Sequence, residues 1–139
     1  MIQTVIGKKG SGKTKRLIDL ANDALKSERG NIIFIDDDDS YIYDLRHEIR
    51  FVNCGKQKIK GADMLYGMLC GILSIDFDIT LIIIDPMMHI IENDVSQLKE
   101  VFERLEKLSS ASAVNFLIAI SGDAEAMPDF VKQCAIETE

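Results

Sequence analysis

Residues 7–14 read Gly7-Lys8-Lys9-Gly10-Ser11-Gly12-Lys13-Thr14, a G-x-x-x-x-G-K-T pattern set between an apolar run at residues 2–6 and a helix-period stretch beginning at Lys13. Few short patterns restrict a fold so tightly. The glycines call for a backbone that turns sharply, and the flanks call for a turn that carries a buried strand directly into a helix. Such a loop turns successive backbone N–H groups inward around phosphate oxygens, and the helix N-terminus adds partial positive charge. A lysine at position 13 is placed to reach β and γ phosphates, and a hydroxyl at position 14 to meet Mg²⁺. A mere tight connection between strand and helix has no need of the complete pattern. The expected nucleotide-binding residues are therefore Gly7, Lys8, Gly10, Ser11, Gly12, Lys13, Thr14 and Lys15.

With 139 residues the chain suits one domain with a real core, so residues 1–139 are read as a single nucleotide-binding domain. Hydrophobic residues make up 47% and charged residues 28%, a balance that excludes disordered and membrane-embedded classes. The most apolar segment, residues 79–85, is strand-length and ends in an acid, and the N-terminus lacks the basic start and long apolar stretch of a signal peptide. A cytoplasmic protein without membrane insertion is expected. The net charge of −7 argues against wrapping nucleic acid, which needs a basic surface. Lys8, Lys9, Lys13, Lys15 and Arg16 crowd the glycine loop and are assigned to bound phosphates, whereas Lys56, Lys58 and Lys60 read as a solvated loop. Cys54, Cys70 and Cys134 show neither C-x-x-C spacing nor a nearby His, so they are read as reduced thiols.

Short apolar runs alternate with helix-period segments. Strands are expected at residues 2–6, 31–36, 79–85 and 115–121, with a short strand or hairpin arm at 50–53. Helices are expected at 13–27, 61–74, 95–110 and 128–135, the third capped by Asn93 or Asp94, and residues 41–48 form a further helical candidate. This alternation predicts an α/β fold, a three-layer α/β/α sandwich around a mainly parallel sheet, with functional loops at the carboxyl ends of the strands.

Asp85 closes an aliphatic run and is expected to hold Mg²⁺ beside Thr14, directly or through water; the alternative is a turn residue preceding Pro86. Asp36 opens a run of four acids after another apolar strand and is the candidate accessory acid, for Mg²⁺ or for a polar substrate. His89 reads as a surface or turn residue, and Met87 and Met88 as packing.

With Gly7, Gly12, Lys13, Thr14 and Asp85 matching its Walker A and Walker B positions, the chain resembles the P-loop NTPase superfamily. Ser121, at the end of the strand after Asp85, looks like the polar sensor of the RecA-like and AAA-like branch, which feels the γ phosphate. That branch usually carries a Glu after the Walker B Asp to activate water; here Pro86 follows, Glu92 and Asp94 are the nearest acids downstream, and no catalytic base is assigned. Nor is an arginine finger, although Arg16, Arg46 and Arg50 are available. Lys8 stands where partition-type ATPases carry an extra lysine, but Lys9 replaces their glycine. Thymidine-kinase-like enzymes also follow the loop with a basic residue and a Leu-Ile pair, yet their catalytic Glu and zinc lasso are not visible here.

A closer resemblance is to small stand-alone ATP-binding proteins of gram-positive bacteria often labelled twitching-motility ATPases. It rests on residues 7–19, on Tyr66-Gly67-Met68-Leu69-Cys70-Gly71-Ile72-Leu73, and on Ser121-Gly122-Asp123-Ala124-Glu125 followed by Pro128. It implies ATP and Mg²⁺ as ligands. Motor activity does not carry over, since pilus-retraction motors have a further N-terminal domain and acidic and histidine boxes, and this chain has only His47 and His89. ATP is favoured over GTP because no N-K-x-D motif appears. The expected function is a weak Mg-dependent nucleoside triphosphatase. A non-catalytic nucleotide sensor working through a protein partner or homo-oligomer is the alternative, and a small-molecule kinase the third.

Overall fold

The computed structural model describes residues 1–138. Six strands form one sheet: β1 (Ile2–Gly7), β2 (Asn31–Asp36), β3 (Arg50–Asn53), β4 (Ile79–Ile84), β5 (Asn115–Ser121) and β6 (Ala135–Thr138). Their order is β3-β2-β4-β5-β1-β6, and every pairing is parallel. Five helices accompany them: α1 (Lys13–Ala24), α2 (Gly61–Ile75), α3 (Met87–Ile90), α4 (Leu98–Ser112) and α5 (Asp129–Gln133).

Side chains of a strand alternate between faces, and the two cores divide along that alternation. Ile32, Phe34, Ile83, Leu117, Ala119 and Val5 face one side, where they meet Leu17, Ile18 and Ala21 of α1 together with Leu45 and Ile49. Ile33, Ile35, Ile82, Ile84, Phe116, Ile118 and Ile120 face the other, against Leu65, Leu69 and Leu73 of α2 and Val101, Phe102 and Leu105 of α4. The helical stripes follow the same logic: in α2, Ala62, Leu65, Leu69 and Leu73 are buried at three- and four-residue steps. The result is the expected three-layer α/β/α arrangement, with a sheet that is wholly rather than mainly parallel. Near-continuous Ile and Leu in β4 is what burial on both faces of a parallel sheet demands.

Four expectations need correction. The first helix ends at Ala24, not Ser27: Lys26 and Ser27 amides bond to the Asp23 and Ala24 carbonyls at 3.1 and 3.0 Å, tightening the last turn to i→i+3 bonds. Residues 41–48 contain only a short 3₁₀ turn, Ile42–Asp44, because the Asn22 side chain satisfies the Asp44 carbonyl and the Arg46 amide at 2.9 Å each while Leu45 and Ile49 sink into the core. The third long helix begins at Leu98, preceded by a 3₁₀ turn, Val95–Gln97, that Asp94 caps by accepting from Ser96 N at 3.1 Å. The C-terminal helix stops at Gln133, and the chain then adds β6 to the edge of β1, pairing Thr4 with Ala135 and Ile6 with Thr138.

Connections that leave β1 on the α1 side and β4 on the α2–α4 side open a crevice between them at the carboxyl ends of the strands.

Candidate functional site

That crevice is a cleft of about 680 Å³, within the range of small-molecule sites. Its first wall is the glycine loop. Gly10 and Gly12 adopt left-handed φ values of 84° and 90°, the region that disfavours any side chain, and neither has an atom within 4 Å of where a Cβ would sit. The backbone there is therefore bare toward the cleft. The Ser11 amide donates to the Lys8 carbonyl at 3.0 Å, and the Arg16 amide to Gly12 at 3.1 Å starts α1. Lys13 lies 7% exposed, and its Nζ donates to the same Lys8 carbonyl at 2.9 Å. Lys8, Lys9 and Lys15 line the cleft from exposed positions, whereas Gly7 closes β1 and accepts from the Gly122 amide at 2.9 Å.

The second wall is acidic. Asp85 follows β4, its amide anchored to the Ile35 carbonyl at 3.0 Å, and its Oδ2 accepts from Thr14 Oγ1 at 2.8 Å. That single bond joins α1 to the end of β4 across 71 residues of sequence. Asp36 ends β2, the neighbour of β4, and is 5% exposed. Burial, with the adjacent Asp85 charge second, pushes its carboxyl up to about 8. Burial also raises Asp85, against hydrogen bonds from Thr14 and Asp36 that favour its ionised form. The direction is set by desolvation in both, and the upward shift is the larger for Asp36.

Thr14 Oγ1 and Asp85 Oδ2 thus bring together two oxygens of the kind hard divalent cations take, with the buried Asp36 lining the same cleft. Among the described residues no group of three or more His, Cys, Asp or Glu is arranged to hold a metal. A cation at this point would draw the rest of its coordination from water or a ligand's oxygens, as Mg²⁺ does.

The remaining predicted residues fall around this centre. Ser121 reaches the cleft from the end of β5, the strand between β1 and β4. Ser11 contributes its backbone turn and is not among the residues lining the cleft. Arg16 is engaged elsewhere: its guanidinium grips Glu137 of β6, with Nε to the two carboxylate oxygens at 2.8 and 2.9 Å. Glu92 lies on an exposed turn at φ 55°, and Asp94 caps its 3₁₀ turn, so neither lines the cleft.

Sequence reasoning missed the rest of the acid wall. His89, read there as a surface or turn residue, is carried on α3 and bonds through Nδ1 to Asp37 Oδ2 at 2.6 Å. Asp37, Asp38, Tyr41, His89, Asn93 and Asp123 all line the cleft. The available signal was Pro86 after Asp85: a proline suits a helix start, and the first turn beyond it swings residue 89 back over the strand ends. Met87 and Met88 are buried, as expected of packing residues, and the three cysteines are free thiols. Among the described residues, no helix is long and apolar enough to cross a membrane. Compared with known proteins, the chain matches no protein-family model and no curated protein.

Proposed function

We propose that this chain is an ATP-binding protein of the P-loop NTPase kind, related to the gram-positive proteins labelled twitching-motility ATPases, and that it is a slow Mg-dependent nucleoside triphosphatase. The observation that carries this is the 2.8 Å bond from Thr14 Oγ1 to Asp85 Oδ2, made beside a glycine loop that buries Lys13. Two motifs far apart in sequence meet where phosphate-bound Mg²⁺ needs them. In this role the loop amides and Lys13 take the β and γ phosphates, and Thr14 and Asp85 hold Mg²⁺, with Asp36 as accessory acid. The bound cation supplies charge neutralisation at the phosphates.

Slowness follows from the acids. Every carboxylate lining the cleft is engaged: Asp36 with Asp85 and the Asp37 amide, Asp85 with Thr14, Asp37 with His89, Asp38 with Ser40, and Asp123 with the Glu125 amide. A hydrogen bond donated to a carboxylate favours its ionised form and so weakens it as a water-activating base.

The position of Ser121 supports a nucleotide sensor as the second function. It ends the strand lying between β1 and β4, and the next amide, Gly122, bonds to the Gly7 carbonyl, so a shift at a γ phosphate would be felt directly in the backbone after β5. Calorimetric titration with Mg-ATP, Mg-ADP and Mg-GTP, with phosphate release followed on the same samples, tests both. Tight ATP binding with steady slow turnover is expected. Binding without turnover would leave the sensor, and no binding of any of the three would sink the proposal.

A further inference from the structure

Helices α2 and α4 cover the same face of the sheet and are equally long, at 15 residues each, yet their outer sides differ. The outer side of α4 carries Lys99, Glu100, Glu103, Glu106 and Lys107, all exposed, as a solvated helix should. α2 has one charged residue in its whole length, Asp63, and Arg104 of α4 holds it at 2.8 Å. Its outer side runs Met64, Gly67, Gly71 and Ile75, at three- and four-residue steps, with Met68 and Ile72 half-buried beside them. Met64 is 45% exposed and Ile75 86%. A helix that is apolar on both sides is one that a second surface covers.

The two glycines say how closely that surface approaches. Glycine is the poorest helix former after proline, and inside a helix it serves where another backbone must come near. Within this chain nothing does: among the described residues no atom lies within 4 Å of a Cβ built at Gly67 or Gly71. At Gly30, by contrast, such a Cβ would fall 2.1 Å from the Asp78 carbonyl oxygen, so the fold itself requires that glycine. Gly67 and Gly71, one turn apart, leave a shallow saddle between Met64 and Ile75 in which a second helix can lie with its axis about 8 Å away.

The charges at the two ends of this face say which helix. Lys58 and Lys60 precede α2, whereas Asp76 and Asp78 follow it. That order reverses what a helix dipole favours, which is acids at the N-terminus and cations at the C-terminus. It is unfavourable in one copy and complementary between two copies laid antiparallel. A two-fold axis opposite the midpoint of Gly67 and Gly71 sets Gly67 against the partner's Gly71, and the same spacing sets Lys60 against the partner's Asp78. Parallel copies would instead set lysine against lysine. Lys60 Nζ donates to the His89 carbonyl at 3.2 Å, which uses one of the three donors of its ammonium. At the other end Asn31 Nδ2 fixes Asp76 at 2.9 Å, Asp78 is exposed, and Phe77 between them, 89% exposed, adds an apolar ring.

We propose that the outer face of α2 is the interface of a two-fold homodimer, in which α2 packs antiparallel on its own copy across Gly67 and Gly71 and Lys60 meets the partner's Asp78 at each end. The assignment stands independently of what the cleft binds. Analytical ultracentrifugation of the full chain over a concentration series tests it. One helix pair is a contact at the low end of specific interfaces, so a reversible monomer–dimer equilibrium with a dissociation constant of about 1–100 µM is expected. A Gly67→Leu, Gly71→Leu double variant should weaken it at least about tenfold by filling the saddle, whereas association through apolar surface alone would strengthen. At dilution, where the chain is monomeric, that variant should melt no lower than the unaltered protein, because leucine is the better helix former at an exposed position. Should it not fold, the charges decide: Lys60→Asp and Asp78→Lys should each weaken the dimer by about threefold to tenfold, and the two together should restore it. A monomer at every concentration, which would give the face to another occupant, would overturn the assignment. So would a dimer that the leucines leave undiminished, or a charge exchange that restores nothing.

Discussion

The two walls of the main cleft are opposite in charge and also in how they are made. The basic wall is mostly backbone and exposed cations: left-handed Gly10 and Gly12, and Lys8, Lys9 and Lys15 reaching water, with one buried lysine whose ammonium rests on a carbonyl. The acid wall places Asp36 and Asp85 side by side in the interior, where both carboxyls are pushed up by burial. Like charges at close range in low dielectric cannot both ionise cheaply, so one proton is retained between them. An anion site can be complete as folded, whereas a site for a divalent cation is a local instability that the fold tolerates.

The sharpest way to break this comparison is to remove the buried cation, Lys13. Lys13→Ala is expected to weaken Mg-ATP binding by about tenfold to a hundredfold, the worth of a charge-assisted contact, with the fold retained because the loop shape is set by glycine backbone. Calorimetry with circular dichroism on the same sample checks both halves, and unchanged affinity would remove the basic wall from the site.

Asp85→Asn should act next most strongly, and only through magnesium. The variant keeps an acceptor for Thr14 but loses the carboxylate, so ATP affinity in EDTA should stay near that of the unaltered protein while the gain on adding Mg²⁺ falls by about tenfold. An equal loss with and without Mg²⁺ would place Asp85 in a packing role.

How much of this was legible in sequence depended on range. Strands β2, β3 and β5 follow the expected bounds because each is a compact apolar or alternating run ended by a polar residue. Thr14 and Asp85 were separately conspicuous, and their meeting followed from placing the glycine loop and Asp85 at the same edge of the sheet. The Asp37–His89 pair was not legible: it spans 52 residues and depends on a one-turn helix, α3, too short to carry a periodic signal. β6 was hidden for a related reason. Ala-Ile-Glu-Thr has no strand signal of its own, and its conformation is supplied by the open edge of β1 and by Glu137 gripping Arg16.

The acid pair allows a subtler break. The Asp36 carboxyl sits at about 8 in the folded protein against 3.8 for a free side chain. Between those values the folded state holds a proton that the unfolded state has released, so metal-free stability falls as pH rises and the loss is complete once Asp36 ionises above about 8. Asp36→Asn should flatten that fall, leaving the variant more stable than the unaltered protein by about 1 kcal/mol or more at pH 9 and little different at pH 5. Thermal midpoints in EDTA across this range decide it, and parallel curves for the two proteins would mean that Asp36 does not keep its proton in the folded state.

Ser121→Ala should have the smallest effect, and it is informative because of that. Ser121 stands at the end of β5, between the two walls, belonging to neither. If its hydroxyl reads the γ phosphate, the variant loses about threefold in ATP affinity, one neutral hydrogen bond, while ADP affinity is unchanged. The preference for triphosphate over diphosphate then narrows by the same factor. Equal losses for both nucleotides would make Ser121 a general contact and take away the support for sensing, since a residue that does not distinguish the two ligands cannot shift any equilibrium between them. A loss confined to ATP would mean that the strand between the two walls distinguishes the triphosphate from the diphosphate.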